Sequence, residues 1–324
     1  MNSFVQRSEL RDWNRSFTCV VSTFICVELL CSCISAPKWY PADAIQPVPP
    51  PETSFNPEAG RGDSLFVTLQ LADGEWLLFG VDTGSPVTIL DQSLVSKLGE
   101  RLEIKTILTG YFGKNTAGIY KAPALYLDTT RLSLGDQVQT QDLSRWAPGH
   151  PLKGILGMDC LRHYCLQLDF TMHKMRFFDP DHLVIEGLGK AFPLSLTQAG
   201  VTVQENLLGI GGENSGIDTG EYLDGALRPA LFQPQIPAEP SRPKTSGDKS
   251  NCAIRLAKGE FGGNSCSDLI LRENHNGINL VGLRFLARHL VTFNFPKQTL
   301  YLKRERIGPW ASRENNTNSA EPTH

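Results

Sequence analysis

The alternation of apolar and polar residues in the first third of the chain predicts a β-hairpin that leads into an acidic turn. Residues 64–71 alternate as a half-buried strand requires, Asp73-Gly74 is a turn signal, and residues 76–81 return as an apolar run. This run continues directly into Asp82, within the segment VDTGSPVTILD. The pattern therefore places a carboxylate at the end of a predicted strand.

Two segments of the first half recur in the second half in the same order. The turn VDTGS around Asp82 has a counterpart in IDTGE around Asp218. Further along, the segment ILGMDCL, which contains Gly157, has a counterpart in LVGLRFL, which contains Gly282. Internal duplication is the simplest explanation, because loops absorb small differences in spacing. The chain is thus predicted to consist of two similar halves.

The repeated Asp-Thr-Gly turn carries the candidate chemistry. Glycine allows close approach of the backbone, and the threonine hydroxyl can hold the loop, although a single copy is more often an ordinary capped turn. Two copies in a duplicated frame bring Asp82 and Asp218 to one interface, where two carboxyl groups share a proton. One then acts as general base on a water molecule and the other as general acid, a chemistry that needs neither a metal nor a cofactor.

The motifs VDTGS and ILG resemble the active-site loop and its supporting strand in the aspartic peptidases, the superfamily of pepsin and the retropepsins. This resemblance spans most of residues 61–305 and implies a mainly β fold, with two acid-protease-like β-barrel lobes related by a pseudo-twofold axis and few short helices. The short halves are similar to the compact retropepsin type. The implied activity is that of an aspartic endopeptidase on a polypeptide substrate, with Asp82 and Asp218 as the catalytic pair in a monomer.

The same resemblance implies supporting roles for further residues. The family's second-motif glycines pack beneath the aspartate loops, its threonines bond across the lobes, and a β-hairpin flap covers the substrate. The loop-supporting positions here are Thr83, Gly84, Ser85, Thr219, Gly220, Gly157 and Gly282, and the flap positions are Tyr111, Phe112 and Gly113. An ordinary hairpin with surface aromatics explains the flap segment equally well. The segment FGGNS, at residues 261–265, is a candidate second flap.

The second half departs from the family pattern at one position. Glu221 stands where the first half has Ser85, and the family places a small residue there. A third carboxylate beside Asp218 either raises the proton affinity of the pair, disturbs the loop, or points to solvent without effect. Two alternatives follow: a catalytically impaired peptide-binding protein of the same bilobal shape, or a homodimeric retropepsin-like enzyme that uses only Asp82.

Length and charge narrow the class of protein. The 324 residues favour two domains, and a net charge of −3 without a long basic run argues against nucleic acid as a partner. The predicted organisation is an export signal over residues 1–36, a Pro-rich linker over 37–60, an N-terminal lobe over 61–190, a C-terminal lobe over 191–306 with a Pro-rich inserted loop near 234–250, and a polar tail over 307–324.

The N-terminal segment is typical of an export leader. Arginines precede an apolar run from Phe17 to Ile34, and small residues end at Ala36. A retained membrane anchor and a lipoprotein signal that acylates Cys33 are the alternatives, and either would tether the protein to a membrane. The expected location is therefore outside the cytoplasm: secreted, periplasmic or membrane-tethered on the outer side.

Four cysteines lie beyond the leader. In an oxidising compartment they allow the disulfides Cys160–Cys165 and Cys252–Cys266. Two buried thiols are the alternative for the first pair. No His-Glu-x-x-His motif or zinc-type spacing of histidine and cysteine occurs, so no metal site is predicted.

Overall fold

The computed structural model describes residues 47–109, 113–147, 149–197, 200–236 and 253–305. All of these lie in one compact unit, residues 40–324. The first-half strands are β1 (Thr53–Ser54), β2 (Phe66–Leu71), β3 (Trp76–Val81), β4 (Ile89–Asp91), β5 (Arg101–Thr109), β6 (Gly113–Lys121), β7 (Leu125–Leu127), β8 (Thr130–Arg131), β9 (Gln137–Gln141), β10 (Leu152–Leu156), β11 (Cys165–Asp169) and β12 (Lys174–Phe178). The second-half strands are β13 (Lys190–Pro193), β14 (Ser195–Thr197), β15 (Gly200–Val203), β16 (Ser215–Asp218), β17 (Gly225–Leu227), β18 (Ala253–Phe261), β19 (Asn264–Glu273), β20 (Asn279–Gly282), β21 (His289–Asn294) and β22 (Thr299–Arg304).

Helices in the described ranges are short. They are α1 (Met158–Leu161), α2 (Pro229–Phe232) and α3 (Leu283–Leu286), with 3-10 turns at Gln92–Lys97 and Gln233–Gln235. No helix there has the length and apolar character that crossing a bilayer requires. The protein is therefore mainly β, as the sequence predicts.

The two halves share one arrangement of strands. In the nine-stranded sheet of the first half, β10 lies parallel to β3 and antiparallel to β4. In the seven-stranded sheet of the second half, β20 lies parallel to β16 and antiparallel to β17 in the same way. The helices α1 and α3 follow Gly157 and Gly282 directly. The predicted duplication is therefore a structural one, and the fold has two lobes.

A third sheet joins the halves, with the strand order β1-β12-β11-β21-β22-β13. Its centre is the antiparallel pair β11 and β21, in which Gln167 lies opposite Thr292. These residues follow Gly157 and Gly282 at equal distances along the chain, and the Gln167 side-chain amide donates a 2.9 Å hydrogen bond to the Thr292 hydroxyl. Because equivalent residues meet at this point, the pseudo-twofold axis passes between them.

The predicted hairpin before Asp82 is confirmed, since β2 and β3 pair antiparallel along their length. The inward positions of these strands, such as Leu69 and Phe79, are fully buried in an apolar core that contains residues of both halves. Burial of such side chains stabilises each by about 1.5–3 kcal/mol, which holds the strands that end at the acidic turns.

Part of the predicted linker belongs to the third sheet as its edge strand. Strand β1 pairs with β12, and the side chains of Phe55 and Ala59 are buried. The predicted export signal, including Cys33, lies outside the described residues, and so do most of the inserted loop and the polar tail.

Of the two alternatives for Cys160 and Cys165, the disulfide is wrong and the pair of buried thiols is confirmed, because both are free, buried cysteines. Cys160 lies in α1 and Cys165 begins β11, where each fills core space as a small apolar side chain. Burial raises the pKa of the Cys165 thiol to about 12. Cys266 is also a free, buried thiol, and Cys252 lies outside the described residues.

The candidate second flap at residues 261–265 is also wrong. Gly262 and Gly263, both with positive φ, form the turn between β18 and β19. Phe261 is buried, with its ring centroid 5.3 Å from that of Phe192 in β13. The turn therefore packs on the third sheet, and its aromatic ring is not available to cover a substrate.

Candidate active site

The two acidic turns have the same local geometry. Asp82 follows β3 and Asp218 ends β16. The backbone N–H of Gly84 donates to Asp82 Oδ1 at 2.8 Å, and that of Gly220 donates to Asp218 Oδ1 at 2.8 Å. Each carboxylate is thereby fixed by its own loop.

The Asp82 and Asp218 carboxyl groups lie close to each other, each against the glycine of the opposite loop. The glycines allow this approach. A Cβ atom on Gly84 would lie 2.6 Å from Asp218 Cγ, and one on Gly220 would lie 2.6 Å from Asp82 Cγ. Any side chain at either position would therefore push the opposite carboxyl group away, which explains why the repeated motif carries glycine.

Thr83 and Thr219 join the two loops through four hydrogen bonds. The N–H of each residue donates to the hydroxyl of the other, at 3.0 and 3.1 Å. The Thr83 hydroxyl donates to the Ile217 carbonyl at 2.6 Å, and the Thr219 hydroxyl donates to the Val81 carbonyl at 2.7 Å. Both threonines are buried, so these bonds satisfy groups that water cannot reach.

Gly157 and Gly282 lie against the outer side of the loops. A Cβ atom on Gly157 would lie 2.4 Å from the Val87 carbonyl oxygen, and one on Gly282 would lie 2.4 Å from that of Leu223. The residue after Gly282 adds a hydrogen bond, since the Leu283 N–H donates to the Glu221 carbonyl at 2.7 Å. Glycine is therefore the residue that the close approach of strand and loop requires at both positions.

The environment of the acid pair raises the pKa of both carboxyl groups. Burial, followed by the charge of Asp82, raises the pKa of Asp218 well above its ordinary value. Burial also raises the pKa of Asp82, while hydrogen bonds from Asp218 and from backbone N–H groups oppose that rise. Because the pKa of Asp218 is raised further than that of Asp82, Asp218 is the acid of the pair that favours the protonated form.

Glu221 is neither in solvent nor disruptive. Its side chain is fully buried and lies 2.5 Å from the Arg272 guanidinium, and it accepts a 3.2 Å hydrogen bond from the Leu223 N–H. In the first half, the Ser85 hydroxyl makes the equivalent link to the Val87 carbonyl at 2.7 Å. The alternative in which Glu221 points to solvent is therefore wrong, and the loop geometry around Asp218 is kept.

Behind the loops lies a second set of buried polar residues, which was not predicted from the sequence. In the first half, the Thr88 hydroxyl donates to Asp159 Oδ1 at 2.8 Å. At the equivalent positions of the second half, Asp224 is paired with Arg284. Burial raises the pKa of Asp159 to about 6. When the two halves are aligned, Asp159 and Asp224 lie next to the repeated motifs, within segments that are otherwise largely apolar. Such a charged residue at a core position is the signal that could have identified this set.

A cavity of about 360 Å³ lies beside Asp82. It is lined by residues of both halves, including Trp146 and Tyr222, and by the apolar side chains of Phe66 and Ile155. None of these four was predicted, because nothing local in the sequence relates them to the acidic turns. In the described part of the chain, no group of three or more His, Cys, Asp or Glu side chains could hold a metal ion.

The candidate flap is described in part. Strands β5 and β6 form a long antiparallel hairpin, in which Gly113 pairs with Thr109. Tyr111 and Phe112 lie outside the described residues. Their role over a substrate remains a prediction.

Comparisons of the sequence with known proteins find no relative. No protein-family model matches the chain. No curated protein matches it either. Among solved structures, the chain is similar to the aspartic proteinase from Irpex lacteus, with 12% identity and a TM-score of 0.47, over 78% of this chain and 96% of that one. The assignment of function therefore depends on the geometry of the acid pair.

Proposed function

We propose that this protein is an aspartic endopeptidase, with Asp82 and Asp218 as its catalytic pair. The observation that carries the proposal is the close approach of the two acids, with Gly84 and Gly220 each lying against the opposite carboxyl group. A turn that merely capped a strand would not require glycine to face an acid of the other half. Two carboxyl groups that share one proton supply both a general base and a general acid.

In the proposed mechanism, Asp82 acts as the carboxylate and Asp218 carries the proton. Asp82 removes a proton from a water molecule as the water attacks the amide carbonyl carbon, and Asp218 donates its proton to the developing oxyanion. Asp82 then passes its proton to the departing amine nitrogen, and Asp218 regains a proton from the diol as the C–N bond breaks. Both residues return to their starting states, so protons balance over the cycle.

The substrate class follows from the surroundings of the pair. We infer that an extended polypeptide lies across Asp82 and Asp218 through main-chain hydrogen bonds, with one side chain in the cavity lined by Phe66, Trp146 and Tyr222. The β5–β6 hairpin is the proposed flap, and Tyr111 and Phe112 fall between its two strands in the sequence. Since both carboxyl groups come from one chain, a monomer suffices.

The intact second loop favours an enzyme over a binding protein. With Glu221 in the loop, the hydrogen bond from the Gly220 N–H to Asp218 Oδ1 is 2.8 Å, the same length as its counterpart in the first loop. Asp218 lies beside Asp82 in the same chain, which favours a monomer over a homodimer that uses only Asp82.

The proposal is tested by replacing each acid with its uncharged isostere. We expect Asp82→Asn and Asp218→Asn each to lower kcat/KM for an unfolded protein substrate by at least about a thousandfold, with unchanged circular dichroism. Asp128→Asn is the matched control, because Asp128 is exposed and asparagine tolerates its positive φ. Turnover at the control rate by either active-site variant would contradict the proposal.

We also propose that the chain is exported, with lobes near residues 61–190 and 191–306. The composition of residues 1–36 supports export. N-terminal sequencing of the protein recovered from its native cell distinguishes the alternatives. Cleavage near Ala36 supports a signal peptide, a blocked and acylated Cys33 supports a lipoprotein, and an intact leader supports an anchor.

A further inference from the structure

A second cavity is lined by residues within the range 189–304, which belong to the second half of the chain or to its start. It has a volume of about 250 Å³ and is bounded by β13, the β18–β19 turn, α3 and β22. None of its lining residues belongs to the cavity beside Asp82. It therefore has no part in the proposed peptidase site.

The lysine and arginine side chains that line this second cavity are all cationic. The charged residues among its described lining are Lys190, Arg288, Lys303 and Arg304, and no aspartate or glutamate is among them. The chain as a whole has a net charge of −3, so this concentration of positive charge is local. A concave surface of one charge sign attracts ligands of the opposite sign.

The lysine ammonium groups keep donors for a ligand. Lys190 donates one 2.5 Å hydrogen bond to the Gly262 carbonyl, and an ammonium group has three N–H donors. Lys303 is paired with Glu305 at 3.3 Å, but both side chains are substantially exposed, and such pairs are weak. An anion in the cavity would therefore find N–H donors on its rim.

Arg288 forms part of the cavity wall and is fixed there by hydrogen bonds. Its side chain is 5% exposed, and its terminal nitrogens donate to Asp224 Oδ1 and to the Ser267 carbonyl, each at 2.6 Å. Its Nε–H has no acceptor among the described residues. The Arg288 guanidinium is therefore held rigidly in the cavity wall, with Asp224 offsetting its charge.

The floor of the cavity is apolar. The rings of Phe192, Phe261 and Phe285 line it, with centroids 5.3 and 5.2 Å apart along the series. A cavity of about 150 Å³ is enough for benzene, so the larger volume here has room for a ring and a short acidic chain. We propose that this cavity binds a small organic monoanion, in which a carboxylate is joined to an apolar group.

The probe that tests the site is 3-phenylpropionate, titrated into the full-length protein by isothermal calorimetry. We expect saturable binding at one site. Propionate lacks the ring and 3-phenylpropanol lacks the charge, and each should bind at least about tenfold more weakly, because charge-assisted hydrogen bonds and apolar burial both contribute. Equal binding of the alcohol and the acid would overturn the proposal, and so would the absence of saturable binding.

Variants locate the bound probe. Reversal of charge at the rim, in Lys190→Glu or Lys303→Glu, should weaken binding at least about tenfold, since each reversal replaces attraction with repulsion. Lys258→Glu is the control, because Lys258 is exposed on β18 and does not line the cavity. Asp82→Asn should bind the probe normally, which separates this site from the proposed peptidase. Binding that survives both rim variants, or that disappears in Asp82→Asn, would show that the probe lies elsewhere.

Discussion

Thr83 and Thr219 bond to each other across the pseudo-twofold axis, the N–H of each donating to the hydroxyl of the other at 3.0 and 3.1 Å. Each hydroxyl also donates a hydrogen bond to a strand of the opposite half: Thr83 to the Ile217 carbonyl and Thr219 to the Val81 carbonyl. The acidic turns are therefore held to each other, and not only to their own lobes. The positions of Asp82 and Asp218 depend on this link.

Removal of one hydroxyl from this link should destabilise the fold and the site together. Thr219→Val keeps the shape but leaves the buried Thr83 N–H without an acceptor, at a cost of about 1–3 kcal/mol in the free energy of unfolding. We expect kcat/KM to fall as well, because the loops lose register. Thr219→Ser restores a hydroxyl and should recover most of both quantities. Equal stability of the valine and serine variants in urea denaturation would refute this role.

Arg272 should be essential to the second loop because it neutralises Glu221. Arg272→Met leaves a buried carboxylate unpaired, and the loss of one partner of a buried ion pair typically costs about 3–5 kcal/mol. The double variant Glu221→Ser/Arg272→Met recreates the serine found in the first loop and should regain most of the stability. Urea denaturation at neutral pH measures all three proteins. A single variant as stable as the double variant would show that the ion pair does not support the loop.

Asp159 should make stability depend on pH in a defined direction. Burial raises its pKa from 3.8 to about 6, so between these values the folded protein keeps a proton that the unfolded chain releases. Stability from this group is therefore full below about pH 4 and falls as the pH rises to about 6, by about 3 kcal/mol in total.

Comparison with Asp159→Asn isolates this effect, because other groups titrate alike in both proteins. We expect the stability of the variant, relative to the natural protein, to increase by about 2–3 kcal/mol from pH 4 to pH 7. A difference that stays constant over this interval would show that Asp159 titrates normally.

The shifted acid pair predicts the pH profile of the proposed peptidase activity. Activity requires Asp82 ionised and Asp218 protonated, so kcat/KM should follow a bell-shaped curve. Since burial and the charge of Asp82 raise the pKa of Asp218, the alkaline limb should lie well above the ordinary aspartate value of 3.8. Loss of activity as soon as the pH passes that value would argue against a shared proton.

Much of the site could be predicted because it is built from short motifs that occur twice. Asp82 and Asp218, each followed by Thr-Gly, indicate a tight turn at the end of an apolar strand. The repetition of this motif distinguishes it from an ordinary turn. Gly157 and Gly282 are found by the same repeat. The structure brings these residues together, and Thr83 and Thr219 bond as the family resemblance implies.

Other features depend on contacts between distant segments, which no local pattern encodes. Glu221 looks like a defect in its motif, because its partner Arg272 lies on β19, far along the chain. Phe261 beside two glycines resembles a mobile turn, yet tertiary packing against Phe192 buries it. The spacing of Cys160 and Cys165 allows a disulfide, but the core position of each thiol decides otherwise.

The central claim is that Asp82 and Asp218 hold a single proton between two touching carboxyl groups. A neutron crystal structure of the protein, grown at mildly acidic pH, tests it directly by locating that proton and the separation of the two groups. We expect the carboxyl oxygens within hydrogen-bond distance, with one deuteron between them that is bonded to Asp218. Carboxyl groups that lie apart, or that are both ionised without a shared deuteron, would contradict the assignment of this chain as an aspartic peptidase.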